Sequence, residues 1–278
     1  MSTESTSAAE ITRASKSNLA LAFVSLGAER RRDITIFYAF CRLIDDIADS
    51  TELAVGEKAL QLVRWREALH GPVADESPVA PEVRGLISKY AITPAMLEEI
   101  IDGVEMDLTI SRYETFEALR EYCYRVASAV GLVSIEIFGY RNPACKEYAI
   151  ELGLALQITN ILRDVAKDLA NGRVYLPRED MARFGYSAED LAARIHDERF
   201  VRLMQFEADR AHLHFQKAAA LLPREDRRSM VSAQIMASIY GALLRQMERD
   251  RFRVFERNYR LNKFAKFLHV SRQLLKLA

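Results

Sequence analysis

The chain has little of what ends a helix or builds a sheet. There are 7 prolines and 11 glycines in 278 residues, and no hairpin dipeptide sits between alternating apolar runs, so strand signals are nearly absent. It has no excess charge of either sign, with 39 Lys+Arg against 39 Asp+Glu. A dedicated nucleic-acid binder carries a basic excess, so no nucleic-acid partner is expected. No apolar run approaches the ~20 residues needed to span a bilayer. Met1 to Glu10 has neither the basic start nor the apolar stretch of a secretory signal. The 3 cysteines, Cys41, Cys123 and Cys145, are odd in number and lack C-x-x-C spacing. They predict reduced core thiols and a cytoplasmic location. A carboxylate-bridged di-iron bundle needs two E-x-x-H motifs; Glu67-Ala68-Leu69-His70 is one such run, and it abuts Gly71-Pro72 at a helix end.

What is present is helical periodicity. Leu97, Ile100, Ile101, Val104 and Leu108 recur at three and four, and no proline interrupts the chain between Pro94 and Pro143. The pattern predicts helices at 15–26, 30–49, 55–70, 79–90, 95–110, 114–138, 142–170, 187–195, 198–221, 227–257 and 262–276. Thr93 before Pro94 resembles an N-cap followed by proline at the first helical position, and Ser187 with Asp190 a capping box. Gly71–Pro81 and Asn171–Tyr186 read as connections. With no repeat and no linker, the expectation is a disordered 1–14 followed by one all-α bundle over 15–278.

Two acidic stripes stand out. Asp45 and Asp49, with Asp46 beside them, end a helix whose neighbours Phe37, Phe40, Leu43, Ile44 and Ile47 are apolar. At about 100° per residue, Asp45 and Asp49 share one face. Like charges one turn apart, opposing the helix dipole, cost about 0.2–1 kcal/mol each, so such carboxylates need a partner. The second stripe is Gln157, Asn160, Asp164 and Asp168, which project at about 0°, −60°, −20° and +20°. The rest of that helix is apolar, so the stripe must be satisfied inside the bundle. Two inward acidic stripes suit Mg²⁺, which is held by a few carboxylates together with substrate phosphates. Arg42, Arg163, Lys167 and Arg173 accompany them and could neutralise a diphosphate.

The segments Tyr38–Asp49 (YAFCRLIDDIAD), Glu105–Gly131 (EMDLTISRYETFEALREYCYRVASAVG) and Leu154–Pro177 (LALQITNILRDVAKDLANGRVYLP) resemble the squalene/phytoene synthase family, which joins two prenyl diphosphates head to head. The resemblance runs from about Lys16 to Lys266. It implies an all-α isoprenoid-synthase bundle around a central cavity, in which Mg²⁺ bridges Asp45, Asp46, Asp49, Asn160, Asp164 and Asp168 to substrate. It places Tyr124 at a mid-chain catalytic position. Tyr38, Arg42, Arg163, Tyr240 and Arg257 fall at diphosphate-contacting or cavity positions, Gln157 beside the metals, and Ser15, Lys16 and Ser17 on a closing N-terminal segment. Phe23, Phe37, Phe40, Phe138 and Tyr240 are candidate aromatic faces for carbocations. This sequence departs from the family at Ser17-Asn18, at Gly27 and at Lys167, which stands where an acid is usual. The stretch Tyr122–Gly131 looks closer to bacterial presqualene diphosphate/squalene synthases, favouring farnesyl diphosphate and a C30 product over phytoene from geranylgeranyl diphosphate. NADPH stays open as a hydride source, since no G-x-G-x-x-G occurs and the family's NADPH users lack it too.

Two further readings remain. A non-catalytic helical scaffold accounts for the helices but not for the acidic stripes. From Arg245 to Ala278, ten Lys/Arg face three Asp/Glu with Phe264, Phe267, Leu268, Leu274, Leu275 and Leu277 interleaved. That pattern fits peripheral contact with an anionic membrane, or a docked helix with a solvated basic face.

Overall fold

Helix formers and apolar stripes at helical spacing dominate the chain, and the computed structural model, which describes Ala8 and residues 22–275, is all helical. Its α-helices are α1 (Ala28–Asp49), α2 (Val55–His70), α3 (Ala80–Lys89), α4 (Pro94–Thr109), α5 (Phe116–Cys123), α6 (Ala129–Phe138), α7 (Ala144–Ala170), α8 (Arg178–Arg183), α9 (Ala188–Ala192), α10 (Glu198–Leu221), α11 (Val231–Arg249) and α12 (Lys263–Leu275). Among the described residues there is no strand, only one isolated bridge between Arg112 and Val174. No described helix is long and apolar enough to cross a membrane.

The longest helix, α7, is the axis of the bundle. It packs most extensively on α10 and also against α6, α11 and the segment between α5 and α6. Its buried residues run all round, from Cys145 and Tyr148 through Leu152 and Ile158 to Leu162 and Val165. One large apolar cluster joins α1, α2, α3, α4 and α6 with the first halves of α7 and α11. A second joins the far half of α7 to α10 and the C-terminal end of α11.

The predicted helix 114–138 is continuous in direction but not in hydrogen bonding. Tyr124–Ser128 forms a π-helical turn, with the Ala129 N–H reaching the Tyr124 carbonyl five residues back. Two glycines make room for this wider turn. A Cβ on Gly103 of α4 would lie 2.6 Å from the Arg125 Cβ, and one on Gly153 of α7 would lie 2.6 Å from the Ser128 Cα. Such π turns occur frequently at functional sites.

Caps fall where the sequence put them. The Thr93 hydroxyl accepts from Met96 N–H at 3.4 Å, and Ser187 and Asp190 form a reciprocal capping box. Two spans differ. The segment 171–186 contains α8, and the predicted 227–257 helix is shorter, Val231–Arg249. Arg251 and Phe252 adopt positive φ of 53° and end it. Phe252 is fully buried all the same, so the periodicity that extended the prediction reflects a loop packed into the core. Of the predicted helix 15–26, residues 15–21 lie outside the described residues, and Phe23–Ser25 is a 3₁₀ turn. The expected disorder of 1–14 also falls outside them, Ala8 apart.

Candidate active site

The last turn of α1, the C-terminal half of α7 and the end of α4 converge on one polar cavity of about 240 Å³. Asp45 and Asp49 enter from α1, and Gln157, Asn160, Asp164, Lys167 and Asp168 from α7. The geometry follows from the 3.6-residue period: one face of each helix carries its polar residues while the others build the core. Asp107 and Val104 come from α4, Tyr122 and Val126 from the α5–π segment, and Arg42, Arg163, Arg173 and Tyr175 complete the wall.

Arg173 and Tyr175 are placed by the loop after α7. Gly172, at φ +77°, supplies the left-handed turn, and the Arg173 N–H returns to the Asp168 carbonyl at 2.9 Å. The chain then pairs with the segment after α4 through Val174 N–H to Ser111 O (2.8 Å) and Arg178 N–H to Tyr113 O (3.0 Å). This carries the Arg173 guanidinium to Asp49, 2.9 Å away. Arg163 forks onto its neighbour Asp164, with Nε to Oδ1 at 2.8 Å, and Arg42 pairs with Asp46.

Sequence reasoning missed three residues here. Asp107 accepts from the Tyr175 hydroxyl at 2.7 Å and from the Tyr122 hydroxyl at 2.9 Å, and those two rings stack with centroids 5.1 Å apart. The signal was available: Asp107 falls three residues after Val104 and seven after Ile100, an acid on an apolar stripe. Tyr122 was missed for Tyr124. Two residues along a helix is about 200° of rotation, so with Tyr122 turned into the cavity Tyr124 turns away. It lies half-buried near Glu99, Glu121 and Glu147, outside the cavity lining.

The remaining candidates divide similarly. Tyr240 stands beside Arg163 and Asn160. Asp46 sits at the rim with Arg42 and is not among the lining residues, nor is Tyr38, which packs half-buried against the main core. Arg257 is on the exposed loop after α11, 2.7 Å from Asp250, and is not among the cavity's lining residues; the helix that would have carried it ends eight residues earlier. Ser15, Lys16 and Ser17 lie outside the described residues. Among the aromatic candidates, Phe37 and Phe40 are fully buried, and Phe40 meets Trp65 edge-on, so they are core; Phe23 and Phe138 line a separate apolar pocket.

That pocket, about 100 Å³, adjoins the polar cavity along α7. It is walled by Leu152, Gly153 and Leu156, one turn before Gln157 and Asn160, and by Ala127, Val130, Tyr148 and Met236. The π segment divides the two spaces, with Val126 on the polar side and Ala127 on the apolar one.

The electrostatics of the polar cavity favour a cation. Asp45 is exposed on the cavity wall but crowded by surrounding protein; that partial desolvation, with Asp49, Asp107 and Asp46 nearby, pushes it up to about 7 against the pull of Arg42. Burial and the adjacent Asp164 likewise push Asp168 up to about 7, opposed by Lys167 and Arg173. Asp107 is raised by burial although Tyr175, Arg173 and Tyr122 all favour its charge. The buried Asn160 Oδ1 accepts no hydrogen bond, a cost of about 1–3 kcal/mol that a cation would remove. Crowded carboxylates and an orphaned amide oxygen are hard oxygen donors of the kind Mg²⁺ takes. Among the described residues no three acid, histidine or cysteine side chains converge closely enough to hold a metal ion unaided. The donors line the cavity walls, where ions shared with a polyanionic ligand would be held.

A helical bundle with a cation-ready acidic cavity beside an apolar pocket defines a class, the isoprenoid-synthase type of fold. Residues 12–265 match the squalene/phytoene synthase family model, and the chain belongs to that family. It is 36% identical over 244 residues to the 15-cis-phytoene synthase of Synechocystis sp., covering 82% of this chain and 72% of that protein. It is 32% identical over 245 residues to the presqualene diphosphate synthase of Zymomonas mobilis, covering 87% and 84%. Among solved structures, a dehydrosqualene synthase in complex with ligand superposes with a TM-score of 0.82 at 26% identity, covering 97% of this chain and 95% of that one.

Proposed function

We propose that the protein is a Mg²⁺-dependent prenyltransferase that joins two farnesyl diphosphates head to head, through presqualene diphosphate, to a C30 product. The observation that carries this reading is the series arrangement along α7, a polar cavity lined by acids and cations followed by an apolar pocket. It matches an amphiphile with a diphosphate head and a hydrocarbon tail. Phe23, Phe138 and Tyr148 line the pocket with bulky rings, and their bulk favours the shorter C15 chain.

Asp45, Asp49, Asn160, Asp164 and Asp168 are the residues that would hold magnesium. Bound there, magnesium would supply the positive charge that offsets a diphosphate leaving group. Arg42, Arg163, Lys167 and Arg173 bind the phosphate oxygens and stabilise the electron pair left on the departing diphosphate. The apolar pocket orients the tail and keeps water from the allylic cation until the double bond of the second chain attacks and a proton is lost. Asp107 is held in place by Tyr122 and Tyr175 at the back of the cavity, where the two stacked rings present a face to developing positive charge.

A second reading, phytoene from two geranylgeranyl diphosphates, is favoured by the 36% identity to the Synechocystis phytoene synthase. Product analysis with each diphosphate, with and without NADPH, separates the two. A C30 hydrocarbon or presqualene diphosphate from farnesyl diphosphate supports the first reading, and turnover of geranylgeranyl diphosphate alone supports the second. No diphosphate release from either would leave the scaffold.

A further inference from the structure

Most large apolar side chains exposed on the described surface are scattered, but α12 collects five of them. Phe264, Phe267, Leu268, Leu274 and Leu275 are 69%, 62%, 50%, 39% and 76% exposed. No other phenylalanine among the described residues is this open to solvent. At about 100° per residue from Phe264, they fall between about −80° and +40°, a single face. Lys263 and Arg272 fall at about −100° and +80°, one on each border of that face. The opposite face is docked. Val270 is buried, and His269 Nδ1 meets the Ser238 hydroxyl of α11 at 2.6 Å.

Charge says what covers the open face. From Asn258 to Ala278 there is no acidic residue, while Arg260, Lys263, Lys266, Arg272 and Lys276 are basic. None of the first four is paired with a carboxylate, whereas about half of the arginines elsewhere among the described residues are. An apolar stripe bordered by unpaired Lys and Arg is what an anionic bilayer surface accommodates: the rings enter the acyl boundary while the basic heads stay among the phosphates. A second copy of the chain would instead place these like charges against each other.

We infer that α12 seats the protein on an anionic lipid surface. The location suits amphiphile traffic. Ser238, which α12 grips, lies on the side of α11 opposite Met236, and Met236, Ala233 and Ser232 wall the apolar pocket. The tail pocket thus lies across α11 from α12. Contact with lipid does not depend on the reaction proposed above, and its test needs no turnover.

The test is co-sedimentation of the full chain with phosphatidylglycerol-containing vesicles and with phosphatidylcholine vesicles. Binding is expected to the anionic vesicles only, and to weaken as salt shortens the reach of the charges. Lys263→Glu with Arg272→Glu should weaken it about 25-fold or more, from roughly fivefold per basic residue at the surface. Phe264→Ser with Phe267→Ser should weaken it by about tenfold or more through lost apolar burial, with an unchanged melting curve showing that the fold is intact. Failure to bind anionic vesicles, or binding indifferent to both double variants, would overturn the proposal. So would sedimentation velocity showing a lipid-free dimer that the phenylalanine variant dissociates, since a second copy would then own this face.

Discussion

The π turn between the two cavities can be tested with a single methyl group. In Gly153→Ala the new Cβ would lie 2.6 Å from the Ser128 Cα, 2.7 Å from its backbone nitrogen and 2.9 Å from the Ala127 carbonyl carbon. Ordinary carbon contacts are about 3.5–4.0 Å, so the overlap approaches an ångström, and it is with backbone that cannot swing aside. Overpacking of this kind costs about 1–3 kcal/mol, here at the upper end. Alanine recovers about 1 kcal/mol of helix propensity. The net loss of about 2 kcal/mol lowers the melting temperature by roughly 3–4 °C in a chain of this size. Gly85→Ala is the control: it lies inside α3 with nothing within 4 Å of its Cβ position, so the same chemical change should stabilise by about 0.5–1 kcal/mol. Thermal denaturation followed by circular dichroism reads both. Because the displaced segment carries Val126 and Ala127, kcat/KM for prenyl diphosphate should fall in the Gly153 variant and stay unchanged in the Gly85 variant. A Gly153→Ala protein that melts at or above the wild-type temperature would refute the account of how the π turn is accommodated.

Asp164→Ala should reduce turnover by about a hundredfold or more while leaving helicity nearly intact, and wild-type rates in that variant would remove the metal assignment. Lys167→Glu should shift the Mg²⁺ dependence of activity, since Lys167 lines the cavity beside Asp168; an unchanged metal titration would place its ammonium outside the working site. Glu207 is buried in α10, where burial and Asp180 push it up to about 8 although Arg210 pulls the other way. Its neutral form is therefore favoured by folding. The stability this contributes is present below the ordinary carboxylate range and lost as pH rises toward about 8. Glu207→Gln, which keeps a neutral acceptor for Arg210, should gain on wild type between about pH 5 and 8 in denaturant midpoints. An equal gap at both pH values would contradict this.

Helix content and the two acidic stripes were legible because both are local periodicities. Asp45 with Asp49, and Gln157 through Asp168, share faces whatever the rest of the chain does. What escaped depends on contacts far apart in sequence. Asp107 becomes a site residue because Tyr175, 68 residues on, reaches it, and Tyr175 arrives there through backbone pairing with residues 111–114 that no single-segment pattern encodes. The family motif pointed to Tyr124 and left Tyr122 unread, because a motif fixes a neighbourhood but not a direction; two residues of helix reverse it. The apolar run through Phe252 looked helical because burial, not helix formation, was being read. A loop buried as deeply as a helix carries the same residues.

The cavity's ion pairs couple its two ligands. Arg173 holds Asp49 at 2.9 Å and Arg163 forks onto Asp164. In each pair the acid is what a divalent cation would take and the arginine is what a diphosphate would take. A ligand that takes up either member of these pairs must break it, and once bound frees the partner that the other ligand needs. Binding is then reciprocal, with a coupling of about 1–3 kcal/mol, or roughly 5–150-fold. Calorimetry with inorganic pyrophosphate should show that degree of tightening on adding Mg²⁺. The sharper case is Asp49→Asn, which releases Arg173. Pyrophosphate without metal should bind this variant more tightly than wild type, and the gain from Mg²⁺ should shrink. If Asp49→Asn instead weakens pyrophosphate binding in chelator, Arg173 is a fixed strut of the fold and not a phosphate ligand held in reserve.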